Sequence, residues 1–585
     1  MLRLNVLPLI LGGLLSGCAQ QQVVAATPQP DVPNQQAAQP SGEGLQASPG
    51  KLPELVLTED LLFQFLLSEI AGQRGMVEIA KEGYLEMART TRDPRIVRRA
   101  TEIAVFGRDQ QAALELARMW NELEPDTPRA LQTIAVLLVA QGQVEASAPY
   151  LEKMLQDQQA GAGFMQLPGL FAKTRDHQAV LALLKKLVAK HPKVAEAHYA
   201  HAHAALNAGQ FAEALEALKR AEQINPGWEQ AALLRAQTLA KTSRTEALAY
   251  LKAYLEAYPN ARDARLAYAR MLVGNNQFGE ARAQFAQLAA EMPGSEEIAL
   301  AAGLLALQMG SLDDAERYLS QAAELAREEG GRADDSTAQY YLGQAAEERQ
   351  AFELAATRYR AIQTGEYLIP SRTRLALMLA RQGRVAEARA ELKSVKAANE
   401  IQRIQLIQAE ADLLREVKDH AAVFELLDKA VQASPDNVDL LYDRAMAAEK
   451  IDKLDVMETD LRKVIKLKPD YAHAYNALGY TLIEKTARLN EATELLEKAL
   501  ALSPEDAFIL DSMGWLHYRK GNLEKARDFL ERAWRLRQDP EIAAHLGEVL
   551  WMRGNQDEAA KVWDGALRKH PKNEALLEIL RKFKK

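Results

Sequence analysis

A repeat period is what most constrains the fold of this chain. Ala214, Ala247, Ala281 and Ala315 stand 33, 34 and 34 residues apart. The series runs upstream through Ala80, Ala113, Ser147 and Val180, and downstream through Ala355, Ala388, Val423, Met457, Ala492, Ala526 and Ala559. Nine of these fifteen positions are followed twelve residues later by proline: Pro125, Pro192, Pro226, Pro259, Pro293, Pro435, Pro469, Pro504 and Pro571. Two short antiparallel helices cross closely only where one offers a small side chain, and proline cannot continue the second helix, so small residue and breaker together set the unit length. Gly142, Gly209, Gly310, Gly383, Gly521 and Gly554 each lie five residues before the small position, where the turn needs positive φ. One such unit cannot bury its apolar stripe alone. Stacked neighbours bury it for one another, and an array of this kind serves to hold other macromolecules.

From about residue 437 onward the units resemble the tetratricopeptide repeat family, whose pattern is W-x2-L-G-x2-Y, then A-x3-F, then P. Tyr475, Leu478, Gly479, Leu482, Ala492, Leu496 and Pro504 follow it, as do Ala543, Leu546, Gly547, Leu550, Ala559, Trp563 and Pro571. Earlier units depart from it: Arg235 replaces the glycine of one and His201 the leucine of another, and there the period and the small positions carry the reading. The resemblance implies an all-α, tetratricopeptide-type helical-repeat superhelix (solenoid) of about fifteen helix pairs over residues 58–585. Between Ala315 and Ala355 the spacing is 40, and the excess lies in Ala326–Ser336. We read it as an overlong helix end and a solvated loop, with 327–336 a tolerated insertion between half-solenoids 54–326 and 337–585; a hinge between them is the alternative. Asn573–Lys585 reads as a capping helix, with Arg581, Lys582, Lys584 and Lys585 at its negative end.

The chain begins differently. Met1–Leu15 holds one charge, Arg3, and an apolar run too short to span a bilayer, so residues 1–17 read as a signal peptide. Leu15-Ser16-Gly17-Cys18 looks like a bacterial lipobox, and Cys18 is the only cysteine. That likeness implies diacylation of the Cys18 thiol. With Ala19 next, it also implies anchoring in the outer membrane of a Gram-negative bacterium, facing the periplasm. Acyl chains suffice for stable attachment when two or more are present, each methylene contributing about 0.8 kcal/mol. Residues 18–53 form the lipidated cysteine and its tether, rich in Gln, Ala, Pro, Ser and Gly and too poor in apolar surface to fold.

The formal net charge is −8, and basic residues are spread through the repeats rather than massed, which excludes a phosphate-tracking nucleic-acid surface. No G-x-S-x-G, P-loop or H-E-x-x-H occurs. Ser48-Pro-Gly-Lys51 has S-x-x-K spacing, and Gly42–Ala47 mimics a dinucleotide turn, but both fall in the tether without the flanking elements such chemistry needs. His198 and His201 share a helix face while His203 points elsewhere, so a convergent third zinc ligand is missing. We therefore expect no catalytic residues, no metal and no cofactor.

Two surfaces are candidates for binding. In tetratricopeptide proteins the first helix of each repeat lines the groove, and the corresponding positions here are Tyr442, Met446, Asn476, Tyr480, Glu484, Phe508, Asp511, Trp515, Tyr518, Arg519, Glu548 and Trp551. Aromatic anchors interleaved with charged groups are what protein recognition favours. At the other end Leu52, Leu55, Val56 and Leu57 precede Thr58, a helix N-cap followed by Glu59 and Asp60. The helix that follows carries Leu61, Leu62, Phe63, Phe65, Leu66, Leu67 and Ile70, with one side expected against Met76, Ile79, Ala80 and Leu85. No earlier repeat covers the other side. It reads as a docking surface for a protein, centred on Leu55, Leu61, Leu62, Phe65 and Leu66; self-association or a seat for the preceding strand are the alternatives.

Phe63–Gly75 and Asp511–Gly521 are similar to segments of proteobacterial outer-membrane tetratricopeptide lipoproteins that act as adaptors for periplasmic carboxyl-terminal processing proteases. That resemblance implies two partners, the protease and peptidoglycan hydrolases presented to it as substrates. The runner-up is an assembly lipoprotein for an outer-membrane pilus secretin or exopolysaccharide exporter.

Overall fold

The computed structural model describes residues 53, 55–125, 127–156, 160–328, 335–571 and 573–583. The signal segment, Cys18, most of the tether with Leu52, and residues 329–334 of the expected insertion lie outside the described residues. Among the described residues the chain is all-α, with 31 α-helices, one 3-10 turn at Glu145–Ser147 and no strand. None of these helices is long and apolar enough to cross a membrane.

One repeat shows why the sequence folds this way. Asp506 caps the helix Ala507–Arg519, its carboxylate accepting the Phe508 and Ile509 N–H groups at 2.9 and 3.0 Å. Gly521 at φ 79° reverses the chain, and Asn522 caps the second helix, Leu523–Leu536. The pair crosses at Gly514, where an added Cβ would stand 2.5 Å from Leu530 Cγ, so only glycine permits the approach. All fifteen small-position residues are buried, including the substitutes Val180, Val423 and Met457. The turn glycines adopt positive φ as expected. Arg108, Asn276, Gln350, Lys418 and Asp452, at the same register, are left-handed too, although the side chains of Arg108, Gln350 and Lys418 disfavour it. The backbone demand therefore persists where the glycine does not.

A second device fastens three of the repeats to the proline that ends the one before. His198 Nε2 donates to the Pro192 carbonyl at 3.0 Å, Arg265 Nη2 to that of Pro259 at 2.5 Å and the Tyr475 hydroxyl to that of Pro469 at 3.1 Å. In each case the donor lies six residues after the proline. These carbonyls would otherwise sit unpaired at a helix end.

Two compact units divide between Tyr341 and Leu342, inside the helix Ser336–Glu348. In the N-terminal unit the core runs from Tyr84, Met87, Trp120 and Ile134 through Phe164 and Leu184 to Tyr199 and Leu218. The helix Leu312–Glu328 is overlong, as its sequence predicts. In the C-terminal unit the last core holds Leu530, Trp563 and Leu576, the last of these from the terminal helix Glu574–Phe583. Asn573 caps that helix through the Leu576 N–H at 3.0 Å. Its Lys582 does not serve the helix end but reaches Glu548 at 2.7 Å.

Candidate protein-binding surfaces

At the N-terminal end, Thr58 caps the helix Glu59–Gln73 through its hydroxyl, which accepts the Leu61 N–H at 3.2 Å. Only Ser68 and Ala71 of that helix are buried. Leu61 is half-buried against the first core, and Phe65 meets the edge of Tyr84 with ring centres 6.2 Å apart while remaining exposed. Leu62, Phe63, Leu66, Leu67 and Ile70 all face solvent, Phe63 at 65%. Met76 and Ile79 correct the sequence reading: both are exposed, whereas Ala80 and Leu85 pack as expected, joined by Tyr84 and Met87. Nor does the preceding segment cover the helix, since Leu55, Val56 and Leu57 are themselves exposed, Val56 at 85%.

Beneath this apolar surface lies a polar network that the sequence reading missed. The Tyr84 hydroxyl donates to Glu69, which Arg99 Nε also meets at 3.0 Å. Burial and the Glu69 carboxylate hold the Tyr84 phenol well above its usual range. The Tyr84 hydrogen bond holds Glu69 below the carboxylate range against the opposing effect of burial, with help from Arg99. With Phe65, Asp93, Arg95 and Ile96 these groups line a cleft of about 430 Å³. Glu69, a charge amid apolar helix positions, was the available signal.

In the C-terminal unit the nominated groove residues fall into separate groups. Trp515 is the centre of one: its Nε1 donates to Glu484 at 2.5 Å and its ring stacks on His545 at 4.2 Å. His545 Nδ1 lies 3.0 Å from both Asp511 oxygens, and Tyr480, two repeats earlier, reaches within 6.2 Å of the same imidazole. Arg519 joins Glu484 at 3.0 Å, while the Tyr518 hydroxyl donates to Glu548 at 2.9 Å. Burial opposes a charge on His545, and the Asp511 carboxylate outweighs it, so its pKa lies above the ordinary value of 6.5.

Trp551 belongs elsewhere, in a cluster with Trp563 and Phe583, each 5.8 Å away. Tyr442 pairs with Tyr471 at 5.4 Å, and Met446 and Asn476 are half-buried. Phe508 is exposed beneath the Arg537 guanidinium. Asp511 and Trp515, by contrast, are buried, Trp515 to 8% exposure. They form a wall with His545, and Tyr442, Tyr480, Glu484 and Arg519 are the more open of the nominated residues. His545, which organises this wall, escaped the sequence reading because the family's groove register does not include its position. Lys418 and Glu574, 156 residues apart, meet at 2.8 Å, so this unit winds far enough to bring its terminal helix back to the turn after Glu400–Glu416.

The three histidines of the helix Ala195–Asn207 have separate partners. His198 serves Pro192, His201 meets Glu213 at 2.8 Å and His203 meets Asn207 at 3.3 Å.

Family profiles described as tetratricopeptide repeat match residues 172–238, 239–305 and 485–545, and a further one matches 300–367. Over 541 residues the chain is 34% identical to a TPR repeat-containing protein of Pseudomonas aeruginosa, covering 92% of this chain and 88% of that protein. Over 99 residues it is 31% identical to the mitochondrial import receptor subunit TOM70 of Rattus norvegicus, covering 17% of this chain and 16% of that one. Among solved structures, a thermophilic TPR protein of Thermus thermophilus aligns at 23% identity over 29% of this chain and 94% of its own, with a TM-score of 0.28.

Proposed function

This chain belongs to the tetratricopeptide repeat family, whose repeats bind proteins, and from that membership we propose that it is a non-catalytic adaptor with one partner at each end. In this reading Cys18 is acylated and anchors the protein to the periplasmic face of an outer membrane. The N-terminal helix docks a carboxyl-terminal processing protease, and the inner face of the C-terminal unit presents a protein substrate such as a peptidoglycan hydrolase.

The observation that carries the proposal is the exposure of Leu62, Phe63, Leu66, Leu67 and Ile70 along one helix, with Leu55, Val56 and Leu57 beside them. Contiguous apolar surface of this kind marks an interaction site in a folded protein. Linking two binding surfaces on one body raises the effective concentration of substrate at the protease without any chemistry of its own.

The test is reconstitution. The purified mature protein should cleave neither peptidoglycan nor casein, yet should accelerate cleavage of a hydrolase by the protease. Replacing Leu62, Phe63 and Leu66 by serine removes exposed side chains and leaves the core intact. Each anchor truncated at an interface costs about 2 kcal/mol or more, roughly a thirtyfold loss of affinity. Stimulation by that triple variant equal to wild type would overturn the assignment of the docking surface.

A further inference from the structure

The inner face of the C-terminal unit is built from the helices Val438–Lys450, Ala472–Lys485, Ala507–Arg519 and Pro540–Met552. Together they carry seven acidic and four basic side chains. Two of the four cations are committed elsewhere, whereas Arg519 already meets Glu484, Lys450 meets Glu449 and Lys582 of the terminal helix meets Glu548. Arg444 is turned away to Asp428 and Asp460, at 2.6 and 2.7 Å, and Lys485 reaches Asp452 at 3.2 Å.

Two half-buried rings sit in this negative field. Burial raises the Tyr480 phenol, and Glu484, Asp511, Glu541 and Glu449 raise it further. Tyr442 is pushed up to about 12 by burial, with Tyr471, Asp443 and Asp506 adding to it. Asp443 is itself raised, by burial first and by Asp412 and Asp439 nearby, although Gln408 and Arg415 oppose the shift. Other rings of this unit already hold a cation: Lys468 stands over Tyr471, Arg537 over Phe508 and Lys582 over Phe583. Among the described residues no cation stands over Tyr442 or Tyr480.

We propose that this face takes an extended segment rich in lysine and arginine, its cations lying over Tyr442 and Tyr480 and toward Asp443, Glu484 and Glu541. The proposal rests on the reading of this face as the substrate surface, and adds the chemical class of what it accepts. Cation–π contact and carboxylate pairing reinforce each other at such a site, because one bound cation satisfies both. An acidic segment would add like charge to a face on which acidic side chains outnumber basic ones.

The experiment measures anisotropy of labelled fifteen-residue peptides, (Lys-Ala-Gly)5, (Gln-Ala-Gly)5 and (Glu-Ala-Gly)5, against the mature protein. The lysine peptide should bind at least about tenfold more tightly than the other two, and binding should weaken as salt is raised through the range where the screening length falls below about 10 Å. Asp443→Asn, Glu484→Gln and Glu541→Gln together should weaken it by up to about fivefold per carboxylate, the isosteric amides leaving the Trp515 hydrogen bond an acceptor. Tyr480→Leu should weaken it separately, with unchanged melting required of both variants. Neutralising Glu78, Glu102 and Glu122 of the other unit should leave binding unchanged.

Equal binding of the glutamate peptide, an unaffected triple variant, or an equal effect of the distant triple would each overturn the proposal. Failure of the adaptor reading has a different signature: the lysine peptide binds, but no protease is stimulated. Conversely, protease stimulation that the triple variant fully retains leaves the adaptor standing and removes the charge assignment.

Discussion

Gly547→Ala tests the packing logic of the repeat at its tightest point. An added Cβ there would stand 2.0 Å from Trp563 Nε1 and 2.3 Å from Cε2. The ring has little room to retreat: Trp563 is fully buried, stacked with Trp551 and Phe583 at 5.8 Å each, and its N–H points to the Ala544 carbonyl at 3.4 Å. Overpacking of this kind costs about 1–3 kcal/mol, and a rigid ring belongs at the upper end. Alanine returns about 1 kcal/mol through its better helix propensity. The net destabilisation is about 2 kcal/mol, and in a stacked array it falls mainly on the last repeat. Native-state hydrogen exchange reads it directly: amides of Pro540–Met552 and Gln556–Lys569 should exchange roughly thirtyfold faster, while those near Tyr84 should not change. Gly565→Ala is the control, since no atom lies within 4 Å of its added Cβ and its φ is not positive. It should stabilise the same helices by roughly 0.5–1 kcal/mol. Gly547→Ala exchanging as slowly as wild type would refute the reasoning, as would equal loss in both variants.

Further outcomes follow from other features. Gln350→Gly relieves a left-handed residue at a cost of added chain entropy, and should raise urea stability of the C-terminal unit by up to about 1 kcal/mol. His545 has a folded pKa above 6.5, so its contribution is complete below that pH and is lost as pH rises through the higher folded value. Wild type should therefore lose stability relative to His545→Gln as pH rises above 6.5, and parallel pH profiles would contradict this. Cys18→Ser should abolish incorporation of labelled palmitate and membrane fractionation while leaving the helical content intact; continued labelling would remove the lipobox reading.

The period, the breakers and the turn glycines made the repeat architecture legible, because a helix pair imposes the same backbone and steric demands each time it recurs. The exposed N-terminal helix was legible for the same reason, since its apolar residues outnumber the neighbours available to cover them. The groove was less so. Trp515, Tyr518 and Trp551 look alike at their register positions, yet one is buried on His545, one is tied to Glu548 and one packs with Trp563 and Phe583. Those differences depend on side chains one or two repeats away, and on how tightly the unit winds, which no single repeat encodes. His545 is invisible to a motif but decisive in space. Met76 and Ile79 depart from expectation because apolar character does not guarantee burial at the edge of the array, where a helix has neighbours on one side only.

The fastening at the repeat-ending prolines has a consequence for how such sequences diverge. His198, Arg265 and Tyr475 share neither charge, size nor ring chemistry, yet each delivers one proton to one carbonyl six residues back. Spelled in amino-acid letters, this position is noise. Spelled in donors and acceptors, these three are synonyms, and swapping one for another can alter what the neighbouring surface displays while the joint beneath it holds; at Leu131, Ala232 and Leu510 the same position carries no side-chain donor.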